Sequence, residues 1–243
     1  MRGSAPDVAG PEEGTLYLCP GPIGNLRDVT LRVLDTLQEA DLVLAEDTRR
    51  ARILLGHYGI GKKSLISFFA GNEKKRTPQV LAALREGKRV ALLSEAGTPG
   101  LSDPGLYLVS RVIEEGLRVE ALPGPSSLLP ALTLSGFPLP PFLFLGFLPR
   151  RPGKRRKILT RALDTGWTFA LFEAPGRVPA TLRELAEEGG AERPCLLARE
   201  LTKKHEELLR GTCSSLAQRL AEEPLRGECV LVVGPSPIRS PGS

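Results

Sequence analysis

An apolar run, Val90 to Leu93, empties directly into the loop Ser94 to Gly105, SEAGTPGLSDPG, where three glycines, two prolines and two carboxylates fall within twelve residues. A buried strand ending in so dense a turn is where an open α/β sheet places its ligand, outside the carboxyl ends of its strands. Gly97, Gly100 and Gly105 admit close backbone approach or positive φ, while Pro99 and Pro104 narrow the conformations open to the loop. An ordinary surface turn rarely needs this many special residues.

The same form recurs along the chain. Apolar strands are predicted near Leu16 to Cys19, Leu42 to Ala45, Leu65 to Phe69, Val90 to Leu93 and Val119 to Leu122, with helical spacing between most of them. Leu31, Leu34 and Leu37, for example, follow Asp28, a residue able to cap a helix start. This alternation predicts an α/β fold with a mainly parallel sheet. The second half repeats it, with strands near Phe142 to Leu145, Thr168 to Phe172, Cys195 to Ala198 and Cys229 to Val233. Gly124 and Pro125 mark the break, giving domains at 14–123 and 124–234, and the Gly/Pro/Ser-rich ends, 1–13 and 235–243, are expected to be disordered tails.

The net charge of +5 permits a polyanionic partner without requiring one. Its distribution is more telling. Arg150, Arg151, Lys154, Arg155, Arg156, Lys157 and Arg161 follow one another with no acidic residue among them, and Pro149, Pro152 and Gly153 place the first half of this run on a loop after an apolar strand. Arginine forks suit phosphate, so the segment is a candidate grip on an RNA backbone; the plainer alternative is a solvated face. Cys19, Cys195, Cys213 and Cys229 lack metal-ligand spacing, and no metal is expected; Cys19, Cys195 and Cys229 read as small core residues. The longest apolar stretch, Phe137 to Leu148, is short and broken by prolines, and the start of the chain lacks an apolar signal core, so a cytoplasmic protein without a membrane partner is expected.

No Gly-x-Gly-x-x-Gly follows the first strand; Pro20 to Asn25, PGPIGN, is a different loop, which weakens the common dinucleotide-fold reading. With LYLCPGPIGNLRD (Leu16 to Asp28), DLVLAEDTRRARILL (Asp41 to Leu55), the Ser94 loop, ALPGPSSLLPALTLSGFP (Ala121 to Pro138), LFEAPGRV (Leu171 to Val178) and RELTKKHEELLRGT (Arg199 to Thr212) in this order, the chain resembles the ribosomal small subunit methyltransferase I family of the tetrapyrrole methylase superfamily. The resemblance runs from about Thr15 to about Gly234. It implies two α/β domains with a cofactor cleft between them, S-adenosylmethionine as cofactor, and 2′-O-methylation of a cytidine ribose in the decoding region of small-subunit ribosomal RNA. It also implies a homodimer acting on that RNA or on the assembled particle. Two other readings stand beside it: methylation of a tetrapyrrole carbon, and a non-catalytic RNA-binding module.

Carried over by position, Ser94, Ala96, Gly97, Thr98, Ser126 and Glu173 are the candidates for cofactor contact. Ser126 is equally suited to capping a helix. A ribose hydroxyl is weakly acidic, so its methylation needs positioning and proton removal, and a carboxylate is the economical base. Glu46, Asp47 and Asp103 are the candidates, with a helix-cap alternative for Asp47 and Asp103. Arg49 and Arg177 are suited to orienting phosphate. Three positions depart from the family pattern: Gly21 stands in place of threonine, Glu95 in place of aspartate and Gly176 in place of histidine.

Overall fold

The structure is a computed structural model that describes residues 14–221 and 225–236. The expected tail at 1–13 and most of that at 235–243 lie outside the described residues. The chain forms two compact units, Met1–Pro125 and Ser126–Ser243.

The first unit alternates strand and helix throughout: β1 (Thr15–Cys19), α1 (Leu31–Glu39), β2 (Leu42–Ala45), α2 (Thr48–His57), β3 (Ser64–Ser67), α3 (Glu73–Arg85), β4 (Val90–Leu93), α4 (Leu106–Glu114) and β5 (Arg118–Ala121). The sheet order is β3-β2-β4-β1-β5 and every pairing is parallel. Helices cover both faces, which is why β2 and β4 read as unbroken apolar runs. Val43, Ala45, Ala91 and Leu93 pack with Val33, Leu37, Leu54 and Leu55 of α1 and α2. Leu42, Leu44, Val90 and Leu92 pack on the opposite face with Val80, Leu84, Leu108 and Val112 of α3 and α4.

Two local expectations change. The strand expected over Leu65 to Phe69 ends at Ser67, and Phe68 turns fully into the core. Asp28 does not cap α1; it sits in the short turn Leu26–Asp28, whose cap is Asn25. Thr30 is the cap, its hydroxyl accepting from Val33 N at 3.3 Å. It is the residue immediately before the helix, which is what a cap requires.

The second unit contains α5 (Leu128–Ser135), β6 (Phe142–Phe147), α6 (Pro152–Asp164), β7 (Thr168–Glu173), α7 (Val178–Leu185), β8 (Pro194–Arg199), β9 (Glu207–Thr212), α8 (Cys213–Arg219) and β10 (Cys229–Val233). Its order is β6-β7-β10-β8-β9. Only β6 and β7 pair in parallel; β7–β10, β10–β8 and β8–β9 are antiparallel, so the mainly parallel expectation fails here. Residues 200–206 are too few for a crossover helix, and the chain reverses as a hairpin through Glu200 and Thr202 at φ 52° and 66°. The core gathers Leu159, Phe169, Leu171, Leu182, Leu185, Leu197, Leu216 and Leu231. Arg193 ties three chain ends beside it, donating from Nε to Gly234 O at 2.7 Å, from Nη1 to Leu163 O at 3.1 Å and from Nη2 to Trp167 O at 2.6 Å.

Replacing Thr30 by alanine is expected to lower the free energy of unfolding by about 1 kcal/mol, as helix caps generally do, with Asp28→Ala changing it by only a few tenths. Urea titration of the two variants checks the assignment, and a larger loss for Asp28→Ala reverses it.

Candidate active site

β4 lies between β2 and β1, so the loops following these three strands leave the same sheet edge side by side. The first and third are sewn together by backbone. Gly21 N donates to Gly97 O at 3.0 Å and Gly97 N to Gly21 O at 2.9 Å, while Ser94 N donates to Cys19 O at 3.1 Å. The approach is so close that a Cβ on Gly21 would sit 2.1 Å from Ser94 O. Gly97 has φ +79°, a conformation side-chain-bearing residues seldom adopt. A glycine at position 21 is therefore a requirement of the backbone as it is folded here.

Within the loop, Ser94 turns its hydroxyl inward, donating to Asp103 Oδ2 at 2.6 Å and accepting from Ala96 N at 3.3 Å. Ser94 is buried, Gly97 is buried, Thr98 is half-buried and Ala96 is exposed. Asp103 is not a helix cap, since α4 begins at Leu106 after Gly105. Glu73, on the first turn of α3, takes over that task, Oε1 accepting from Gly105 N at 2.9 Å and Leu108 N at 3.3 Å. No sequence pattern marks Glu73 for this role, because a cap supplied from another helix leaves no local signature.

The two carboxylates after β2 diverge. Asp47 caps α2, Oδ1 accepting from Arg49 N at 2.7 Å and Arg50 N at 3.4 Å. The Arg49 backbone hydrogen bond chiefly holds its carboxyl below the usual range. Glu46 is pushed above the usual range, first by partial burial of its carboxyl and then by the charges of Glu95 and Asp103. A small space of about 10 Å³ is lined by Glu46, Ser94, Glu95 and Asp103 among others, so these groups converge. A larger open hollow of about 210 Å³ has Pro22, Ala45, Ile53 and Leu93 among its apolar walls and Asp47, Arg50 and Glu95 among its polar ones. Arg50 Nη1 donates to Glu95 Oε2 at 3.0 Å.

In the second unit, Glu173 is almost fully buried at the end of β7, and both of its oxygens are engaged. Oε1 accepts from Ala174 N at 2.9 Å and meets Arg177 Nε at 3.2 Å, and Oε2 accepts from Thr181 Oγ1 at 2.8 Å. Arg177 in turn donates to Leu148 O at 3.2 Å, bracing the chain just before Arg150. Ser126 precedes Ser127, the residue in the cap position of α5, so it is not itself the cap. Gly176 lies in the turn Pro175–Arg177, with open space where a side chain would begin.

The basic run is helical from Pro152 onward rather than a loop. Arg150, Arg151, Lys154 and Lys157 are exposed, as is Arg49 on α2. Arg155 is spent on Glu184, with Nε to Oε2 at 2.6 Å and side chains only 11% and 18% exposed. Arg156 pairs with Glu188 at 2.6 Å and Glu187 at 3.3 Å. All four cysteines are buried, Cys213 included, and Cys195 and Cys213 bring their sulfurs to 2.9 Å. Among the described residues no cluster of metal ligands occurs, and no helix is long and apolar enough to cross a membrane.

Adding a methyl group at Gly21 forces the Ser94 carbonyl away. Gly21→Ala is expected to destabilise the protein by about 1–3 kcal/mol, the range typical of overpacking. Thermal unfolding measures the loss; an unchanged midpoint would show that the two loops are not held as described.

A family model of tetrapyrrole (corrin/porphyrin) methylases matches residues 15–217. The ribosomal RNA small subunit methyltransferase I of Thermotoga maritima is 46% identical over 221 residues, covering 90% of this chain and 98% of that protein. Its counterpart from Mesorhizobium japonicum is 44% identical over 241 residues, covering 99% and 82%. Among solved structures, uroporphyrin-III C-methyltransferase from Thermus thermophilus, complexed with S-adenyl homocysteine, aligns with TM-score 0.66 at 21% identity, covering 91% of this chain and 97% of that one. Diphthine synthase aligns with TM-score 0.71 at 14% identity, covering 91% and 90%. These structural likenesses are of fold, whereas the sequence likenesses place the chain more narrowly. The chain belongs to the ribosomal RNA small subunit methyltransferase I family, within the tetrapyrrole methylases.

Proposed function

We propose that this protein transfers the methyl group of S-adenosylmethionine to the ribose 2′-hydroxyl of a cytidine in the decoding region of small-subunit ribosomal RNA. The family membership supports the substrate class. The observation that carries the chemistry is the convergence of Glu46 and Asp103 on one small space beside the glycine loop of Ser94 to Thr98. Such a donor set suits a sulfonium cation, which carboxylates stabilise and which close-packed glycine backbone leaves room to approach. The residues to hold the cofactor are Ala96, Gly97 and Thr98, with Ser94 shaping the loop from within. When bound, the cofactor supplies a methyl group activated by the positive sulfur.

Glu46 is the base in this reading. Its carboxyl is not committed to a helix cap, and its raised affinity for a proton suits removal of one from a weakly acidic hydroxyl. Asp47 is occupied as a cap, and Asp103 orders Ser94 while its charge raises Glu46. Glu173, enclosed by its own partners, positions Arg177 and the chain leading to Arg150 rather than meeting the cofactor. Arg49, Arg150, Arg151, Lys154 and Lys157 are the exposed cations offered to phosphate. Arg155 and Arg156 are held by glutamates and drop from that set.

The test is transfer of labelled methyl to small subunits that lack the modification, with the modified nucleotide mapped. Label on a cytidine ribose is expected; label elsewhere, or none, overturns the reading. Glu46→Gln should lower kcat by about 10²- to 10⁴-fold. The pH profile separates the carboxylates. A base with a raised pKa is competent only above that value, so activity falls as pH drops through it. Asp103→Asn still accepts from Ser94 but removes one like charge, which lowers the Glu46 pKa and should extend activity to lower pH. Loss of activity at every pH in Asp103→Asn, with Glu46→Gln active, would transfer the role to Asp103.

A further inference from the structure

The hollow of about 210 Å³ beside α2 adjoins the small space bordered by Glu46 and Asp103 and shares Leu93, Ser94 and Glu95 with it. Resting on the RNA reading above, we propose that it is a nucleobase subsite in which Arg50 and Glu95 select cytosine. Its volume falls short of the ~300–1,000 Å³ usual for whole small-molecule sites, which suits one flat ring and not a macrocycle. Pro22, Ala45, Ile53 and Leu93 give it apolar walls for the faces of a base.

The polar groups in its walls are of two kinds. Arg50 presents a guanidinium fork, its side chain 73% exposed and anchored through one nitrogen to Glu95 Oε2. Glu95 Oε1 receives no hydrogen bond among the described residues, and Asp47 spends only Oδ1 on its helix. A donor fork beside spare carboxylate oxygens matches the edge of cytosine, whose amino group donates and whose N3 and O2 accept. Uracil presents a carbonyl where cytosine presents the amino group, so a carboxylate meets it with repulsion and no hydrogen bond. The location fits as well. Leu93, Ser94 and Glu95 line both this hollow and the small space that Glu46 borders, so a base seated in the one has its own ribose beside the other.

Glu95 is thus a specificity residue, bridging from the loop after β4 to Arg50 on α2.

The experiment uses the full chain and small subunits whose target nucleotide is cytidine, uridine or adenosine, with methyl transfer measured on each. The ratio of kcat/KM for cytidine over uridine cancels any effect on the cofactor common to both. Wild type should prefer cytidine, and Glu95→Gln and Arg50→Ala should each lower that preference by about tenfold or more, mainly through KM for the subunit. A variant that merely perturbs the fold lowers both rates and leaves the ratio unchanged. An unchanged ratio in both variants, or a wild type indifferent to the base, overturns the subsite while leaving the RNA reading intact. A wild type that modifies none of the three overturns the RNA reading and the subsite with it.

Discussion

The two backbone hydrogen bonds exchanged by Gly21 and Gly97 hold the first loop of the sheet against the third. They form only because the backbone at Gly21 can approach the Ser94 carbonyl with no Cβ between them, and because Gly97 accepts a positive φ. Strand order makes this pairing possible. β4 runs beside β1 on one side and β2 on the other, so one sheet edge collects PGPIGN, Glu46 with Asp47, and the Ser94 loop. The site is a consequence of topology before it is one of side chains.

Electrostatics then divides the carboxylates that topology gathers. Asp47 receives two helix N–H groups and remains a firm anion; Glu46, its neighbour in sequence, faces Glu95 and Asp103 and holds its proton more strongly. Neighbouring groups of the same chemistry thus have distinct duties set by what surrounds them. In the second unit, buried Glu173 and half-buried Arg177 brace the chain just before the exposed Arg150 and Arg151, and the Arg155–Glu184 pair ties α6 to α7.

The first sheet was legible because three of its strands, β1, β2 and β4, carry apolar runs of four residues bounded by polar or turn residues, the pattern imposed by burial on both faces. The second was read less well. β9, ELLRGT, is an edge strand whose one buried residue is Leu209, so it carries no apolar run to notice. Its antiparallel direction depends on a short hairpin through Glu200 and Thr202, neither a residue that announces positive φ. Glycine and proline density marks the loop that pairs with PGPIGN, since backbone demands are written directly in residue type. Side-chain partners are not: Glu73 caps a helix far away in sequence, and the Glu173 carboxylate is engaged by Thr181 and Arg177. Partnership of this kind is decided by the tertiary fold and leaves no spacing rule in the chain.

If the loops after β1 and β4 form one cofactor-holding edge, S-adenosylhomocysteine should rigidify both together. Amide hydrogen exchange with and without it tests this directly: protection is predicted to rise jointly over residues 20–25 and 94–98, whose backbones are already bonded at Gly21 and Gly97. Protection that appears elsewhere and leaves both segments unchanged would contradict the assignment of this edge as the active site.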